Sequence, residues 1–195
     1  MFDLLLDTIA GELDLTTDQI AFITSLWTPR HFRKGELFER AGETTTRGGF
    51  VVRGCFRTFA LDADGLETIT QFSAERGFIG NITSATTGQP TPYMVEAIED
   101  SDVLTIDLAS YNRMLDAFPE IARGYRLGLQ RSLSVQQQRL VMSLSASAEE
   151  KHADFVARYP GLVDRVPKRM LASYLGITPE TLSRIRRTAR DREEP

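Results

Sequence analysis

The sequence is poor in the residues that build metal and redox centres. Its 195 residues include one cysteine, Cys55, and two histidines, His31 and His152, that lie far apart in the chain. One cysteine excludes an internal disulfide and a thiolate-held iron–sulfur cluster, which takes several cysteines. Two isolated histidines also cannot supply the His and Glu ligands of a cupin-like metal oxygenase. We therefore expect no metal site, no cofactor and no enzymatic activity.

Long apolar runs are absent as well. No stretch reaches the roughly 18 apolar residues that indicate a membrane helix. The segment Met1 to Asp7 has neither the basic flank nor the small-residue cleavage site of a signal peptide. We expect a cytoplasmic protein with no membrane contact. Its hydrophobic content of 42% and charged content of 26% are typical of an ordinary globular chain.

What is present changes in character along the chain. Helical spacing between Asp3 and Leu26 predicts two short helices, broken near Gly11 to Thr17, with Thr16 or Thr17 as the cap of the second. From Arg30 to about Asp107, short apolar runs between turn residues predict the strands of a roll or barrel, with a hairpin turn at Asp62 to Gly65. The helices predicted beyond Leu108 are Ala109 to Leu115, Pro119 to about Ser145, and Ala148 to Tyr159.

The long predicted helix has two kinds of side. Gly124, Gly128 and Ser132 recur at i, i+4 and i+8, where small residues let another backbone approach closely. Four leucines, at positions 129, 133, 140 and 144, lie elsewhere on the helix. Such a helix can pack on the strand domain or form a dimer interface, and we favour a homodimer.

The segment from Lys168 to Arg187 predicts a helix-turn-helix. Counting from Lys168, a small residue stands at the fifth position (Ala172), glycine at the ninth (Gly176), and apolar residues at the tenth, fifteenth and eighteenth. The small residue lets two steeply crossing helices meet, and glycine suits the turn between them. Thr178 is suited to the N-cap and Pro179 to the first position of the second helix.

The outer side of that second helix has DNA-binding chemistry. Glu180, Ser183 and Arg184 are predicted to contact bases, since arginine pairs with guanine and glutamate accepts from cytosine. Between Arg165 and Arg190 the sequence has seven Lys or Arg and one Glu, a balance of +6 in a chain of net charge −4. A local basic patch of this kind is typical of nucleic-acid binding. The residues predicted to contact phosphates are Lys168, Arg169, Thr178, Thr181, Arg186 and Arg187.

Several motifs follow one another in a fixed order. They are Phe32 to Glu43 (FRKGELFERAGE), Phe50 to Gly54 (FVVRG), Phe78-Ile79-Gly80, and Ala172 to Ile185 (ASYLGITPETLSRI). Together they resemble the Crp/Fnr superfamily of bacterial transcription regulators over nearly the whole chain. The first two are similar to its opening strands, the third to the start of its phosphate-binding cassette, and the last to the helix-turn-helix of a subgroup without a bound cluster.

The resemblance implies an α+β fold in three parts. Residues 1–117 would form a cyclic-nucleotide-binding-like sensor domain, a double-stranded β-helix or jelly roll. Residues 118–146 would form a connecting and dimerisation helix. Residues 147–195 would form a helix-turn-helix DNA-binding domain of the winged-helix-like kind.

The chain departs from the family where a cyclic nucleotide binds. By resemblance, members that bind one have a glutamate for the ribose and an Arg-Ser pair for the phosphate, whereas this chain has Asn81 and Thr91-Pro92 at those places. The lost charge-assisted contact is worth about 1.5–3 kcal/mol, so we expect no response to cAMP. The pocket either holds another small-molecule effector or is only structural core. Its candidate residues are Gly80, Asn81, Ile82, Thr83, Thr91 and Tyr93.

The sequence therefore predicts a transcription regulator that binds double-stranded DNA as a homodimer on a palindromic site. The resemblance implies half-sites containing TTGA for the combination of Glu180, Ser183 and Arg184, and RNA polymerase as a protein partner. The alternative is a β-roll module that senses a cyclic nucleotide or another small molecule and acts through protein partners.

Overall fold

The computed structural model describes residues 1–11 and 13–193, with side chains up to residue 188. The described chain divides into two compact units. One comprises residues 1–61 and 70–130, and the other comprises residues 62–69 together with the chain from residue 131 onward. Each unit has its own apolar core, and they are described separately below.

Eight strands build the first unit and the hairpin that it shares with the second. Their bounds are β1 Thr28–Phe32, β2 Leu37–Glu39, β3 Arg47–Arg53, β4 Phe56–Leu61, β5 Glu67–Ser73, β6 Phe78–Ile79, β7 Met94–Ala97 and β8 Ser101–Asp107. They form two four-stranded sheets, ordered β1-β8-β3-β6 and β2-β7-β4-β5. Neighbours such as β3 and β8, or β4 and β7, run antiparallel. This confirms the predicted jelly-roll fold.

The roll has an aromatic core between its sheets. Phe32, Phe38 and Phe56 contact one another with ring centroids 5.6–6.4 Å apart, and Val51, Ile79 and Val103 fill the space around them. Tilted and edge-to-face aromatic pairs of this kind stabilise a core beyond the apolar area that they bury.

The predicted hairpin turn between β4 and β5 is confirmed. The Asp62 carboxylate accepts hydrogen bonds from the Asp64 and Leu66 backbone N–H groups, at 3.0 and 2.9 Å. Gly65 has φ of +80°, which glycine adopts without strain. Phe78 and Ile79, at the start of the predicted cassette, form the short strand β6, which pairs with β3.

The other regular elements of the described chain are helices. Their bounds are α1 Phe2–Ile9, α2 Thr17–Ser25, α3 Ile82–Thr87, α4 Leu108–Ala117, α5 Pro119–Ser145, α6 Ala148–Arg158, α7 Lys168–Leu175 and α8 Pro179–Glu193, with a short 3₁₀ helix at Pro160–Leu162. Of the two caps predicted for α2, Thr16 is the one used, in a capping box with Gln19. The long helix begins at Pro119 and ends at Ser145, as predicted.

Two further cores hold these helices. In the first unit, α1, α2, α4 and the start of α5 pack against β3 and β8 around Trp27, Phe50 and Phe118. In the second unit, the buried residues of α6, α7 and α8 include Phe155, Leu171 and Leu182. None of the described helices combines the length and the apolar character that crossing a membrane requires.

Candidate nucleic-acid interface and candidate effector pocket

The turn between α7 and α8 has the geometry that the sequence predicted. Gly176 ends α7 in the left-handed conformation with φ of +66°, and the Ile177 N–H donates to the Ala172 carbonyl at 3.0 Å. Ala172 is only 1% exposed, which agrees with a close approach of helices at this position. The Thr178 hydroxyl accepts from the Thr181 N–H at 3.2 Å and caps α8, which begins at Pro179.

The outer face of α8 presents the predicted base-reading residues together. Glu180, Ser183 and Arg184 are exposed, and with Pro179 and Arg187 they line one surface depression. Leu182 and Ile185, on the opposite side of the helix, are buried. The Ser183 hydroxyl donates to the Pro179 carbonyl at 2.9 Å, so its oxygen still has a lone pair for a base. The face therefore combines a carboxylate, a hydroxyl and guanidinium groups with no apolar side chain among them except proline.

The residues predicted to contact phosphates fall into three groups. Lys168, Arg169 and Arg187 are exposed and stand on α7 and α8. Thr178 and Thr181 engage each other's hydroxyls at 3.1 Å at the start of α8. Arg186 differs, because its guanidinium donates to the Val163 carbonyl at 2.8 Å and its Nε is buried. This contact within the helical unit argues against the phosphate role predicted for Arg186.

His152 lies on α6 in the same unit. Its Nε2 is buried, with no hydrogen-bond partner among the described residues. Burial, and secondarily the positive charge of Arg186, hold the pKa of His152 below its ordinary value. The folded unit therefore favours the neutral imidazole.

The first helix of the pair is tied to the tip of the β4–β5 hairpin, which belongs to the same unit. The Ser173 hydroxyl donates to the Glu67 carbonyl at 2.9 Å and accepts from the Ile69 N–H at 3.2 Å. Arg139 on α5 donates to the Ile69 and Tyr174 carbonyls and stacks on the Tyr174 ring, 3.7 Å from its centroid. Sequence reasoning missed these residues, because partners 35 to 106 positions apart leave no local pattern.

Three residues of the candidate effector pocket are linked by hydrogen bonds to one hydroxyl group. The Asn81 amide donates to the Thr91 hydroxyl at 3.0 Å, and the Tyr93 N–H donates to the same hydroxyl at 3.2 Å. Thr91 is buried, whereas Ile82 and Thr83 are exposed on α3. Of the predicted pocket residues, the structure thus brings Asn81, Thr91 and Tyr93 into contact. Position 80 favours glycine, because its φ is +111° and a Cβ added there would lie 3.1 Å from the Arg47 carbonyl oxygen.

One pocket residue was absent from the prediction. Glu39 on β2 is buried, and its carboxylate accepts hydrogen bonds from the Asn81 N–H and the Thr45 hydroxyl. Arg76, the nearest arginine before the cassette in sequence, contacts Asp7 and Thr8 on α1 instead. The start of the cassette is therefore in contact with the Glu39 carboxylate of β2, whereas the Arg76 guanidinium contacts α1.

Comparisons with known proteins agree with this arrangement. The profile of the cyclic nucleotide-binding domain family matches residues 29–118. The nitrogen fixation regulation protein FixK of Bradyrhizobium diazoefficiens is 29% identical over 165 residues, covering 79% of this chain and 68% of FixK. The transcriptional activator protein FnrA of Stutzerimonas stutzeri is 25% identical over 167 residues, covering 80% of this chain and 68% of FnrA.

Solved structures show the same fold. The structure of FixK2 from Bradyrhizobium japonicum superposes with a TM-score of 0.74 at 22% identity, and the match covers 86% of each chain. The chain thus combines a domain that matches the cyclic nucleotide-binding domain family with a C-terminal helix-turn-helix. In sequence it is similar to the transcription regulators FixK and FnrA over about four-fifths of its length.

Proposed function

We propose that this protein is a sequence-specific DNA-binding transcription regulator that acts as a homodimer and does not respond to cAMP. The observation that carries the proposal is the outer face of α8, where Glu180, Ser183 and Arg184 stand exposed around one depression while Leu182 and Ile185 anchor the helix. Arg184 would pair with guanine and Glu180 with cytosine in the major groove. Lys168, Arg169 and Arg187 would neutralise phosphates.

The dimer proposal rests on the exposed leucines of α5. Leu129, Leu133, Leu140 and Leu144 are all exposed. At about 100° per residue they fall within an arc of about 60° on the helix surface. Gly124 and Gly128 lie on other sides of the helix, about 170° and 130° from the centre of this arc, and a Cβ added to either would meet nothing within 4 Å. We assign this leucine stripe to contact with a second copy, in the geometry of a helical coiled coil.

The proposed roles of the three parts of the chain are those that the sequence predicts. Residues 1–117 form the sensor-like domain, residues 118–146 the dimerisation helix and residues 147–195 the DNA-binding domain. RNA polymerase is the proposed protein partner. A location in the cytoplasm, where its DNA target is, completes the proposal.

Insensitivity to cAMP is supported by the residues of the cassette. The places that hold a glutamate and an Arg-Ser pair in nucleotide-binding relatives hold Asn81 and Thr91-Pro92, and Asn81 and Thr91 are hydrogen-bonded to each other. No guanidinium among these residues would pair with a cyclic phosphate, and the Glu39 carboxylate next to Asn81 would repel one.

Selection of duplex DNA from a random-sequence pool by the purified full chain tests the proposal. We expect palindromes of two TTGA-containing half-sites, spaced about one helical turn apart as a twofold dimer requires. Selected sites without a TGA core would refute the assignment of the base-reading residues. Failure to enrich any sequence would favour a module that acts through protein partners.

A further inference from the structure

The feature that points beyond the proposed function is the buried carboxylate of Glu39. In a regular strand, successive side chains point to opposite faces, so Phe38 and Glu39 would be separated by the sheet. The pairing of β2 with β7 shifts register between Leu37 and Glu39, and both Phe38 and Glu39 are buried, at 5% and 7% exposure. At this irregular pairing a charged side chain is therefore buried directly after a core phenylalanine.

Both oxygens of this carboxylate have a partner. Oε2 accepts from the Asn81 backbone N–H at 3.0 Å, and Oε1 accepts from the Thr45 hydroxyl. Burying a carboxylate costs free energy unless such donors replace its water, and bonds to a charged acceptor are stronger than those between neutral groups. Asn81 directly follows Gly80, whose positive φ sets the direction of the chain at this point.

The donors around Glu39 belong to a network that spans the segment from Gly80 to Thr91. The Thr45 N–H donates to the Ser84 hydroxyl at 2.9 Å, and that hydroxyl donates to the Gln89 carbonyl. The Asn81 side chain accepts from the Ser84 N–H and donates to Thr91, both at 3.0 Å. Glu39 therefore contacts the segment near its beginning, at Asn81, and Thr45 contacts it at Ser84. The Asn81 side chain links the beginning of the segment to its end at Thr91.

We propose that the Glu39 carboxylate is a built-in anion that holds the segment from Gly80 to Thr91 closed, in place of an external anionic ligand. A phosphate entering here would have to displace a carboxylate tethered to the same chain and would meet its negative charge. This inference deepens the proposed insensitivity to cAMP and rests on that part of the proposed function. In this proposal Glu39, a residue of the roll, takes the place of a bound ligand.

Hydrogen exchange of the full chain, read from peptides covering residues 80–91, tests the proposal. Glu39→Gln keeps the size of the side chain and removes the charge, and we expect exchange in this segment to accelerate roughly ten- to hundredfold. Glu43→Gln is the matched control, because Glu43 is exposed and contributes its backbone carbonyl to Thr91. Its exchange should equal that of the unaltered protein. Millimolar cAMP or inorganic phosphate should leave exchange in the unaltered protein unchanged.

Exchange in Glu39→Gln at the unaltered rate would overturn the proposal, and so would slowing of exchange in the unaltered protein by cAMP or phosphate. If Glu39→Gln does not fold, Thr45→Val replaces it, since it removes one hydrogen bond to the carboxylate and leaves the charge. Faster exchange confined to residues 80–91 supports the proposal, and unchanged exchange refutes it. DNA binding is measured separately, so that a chain that binds no DNA but shows the Glu39 effect would refute only the proposed DNA function.

Discussion

Truncation of one leucine of the α5 stripe should weaken the proposed dimer by a calculable amount. Leu140 is 61% exposed in the single chain. Complete burial of a leucine contributes about 1.5–3 kcal/mol, so covering this fraction contributes about 1–2 kcal/mol. Twofold symmetry counts the position twice, and Leu140→Ala should therefore cost about 2–4 kcal/mol of association free energy. The dimer dissociation constant should rise roughly 30- to 800-fold.

Analytical ultracentrifugation over a range of concentrations measures this change, with thermal melting as a check on folding. Leu127→Ala is the matched control, because Leu127 is 44% exposed on the same helix but lies outside the stripe. It stands about 140° around the helix from Leu140. We expect it to leave the dissociation constant nearly unchanged. Equal weakening by both substitutions, or by neither, would refute the assignment of the stripe as the dimer contact.

Three further predictions concern the second unit, which contains α6, α7 and α8. Arg184→Ala should weaken binding to the selected DNA site by about 1–3 kcal/mol without changing the melting temperature. Arg186→Ala should instead lower the melting temperature, because Arg186 donates a hydrogen bond to the Val163 carbonyl. DNA titration and thermal melting of both variants check this, and a reversed pattern would contradict it. Leu182→Ala should cost about 2–5 kcal/mol in urea unfolding, since a fully buried leucine leaves a cavity; a cost near zero would show that the helix is not anchored there. The pKa of His152 is lowered from 6.5 on folding, so the unfolded chain binds more protons and stability should fall as the pH drops below 6.5; His152→Gln should flatten that part of the stability profile, and an unchanged profile would refute the contribution.

The features that the sequence predicts well are those with local causes. Pro119 and Pro179 mark helix starts because proline fits the first helical position. Gly176 marks the turn because only a residue without a side chain takes its φ of +66° cheaply. The α2 cap, which the sequence narrows to Thr16 or Thr17, and the hairpin turn at Asp62 depend on hydrogen bonds within four residues. Such signals are complete within a short window of sequence.

The features that the sequence does not predict depend on contacts made after folding. Nothing in the run Leu37-Phe38-Glu39 indicates that the carboxylate will be buried beside Asn81, 42 residues away. Arg186 looks like an ordinary phosphate-binding arginine, yet it contacts a carbonyl 23 residues away. The links from Ser173 to the hairpin tip span more than 100 residues. Only the assembled structure provides these partners.

The most direct test of the account is an equilibrium titration of the full chain, without added cAMP, against two duplexes at about 0.15 M salt. One duplex carries a palindrome of two TTGA half-sites, and the other carries the same base composition with both half-sites scrambled. We predict binding to the palindrome that is tighter by roughly a thousandfold or more. Equal affinity for the two duplexes, or a preference that appears only when cAMP is added, would contradict the proposed function.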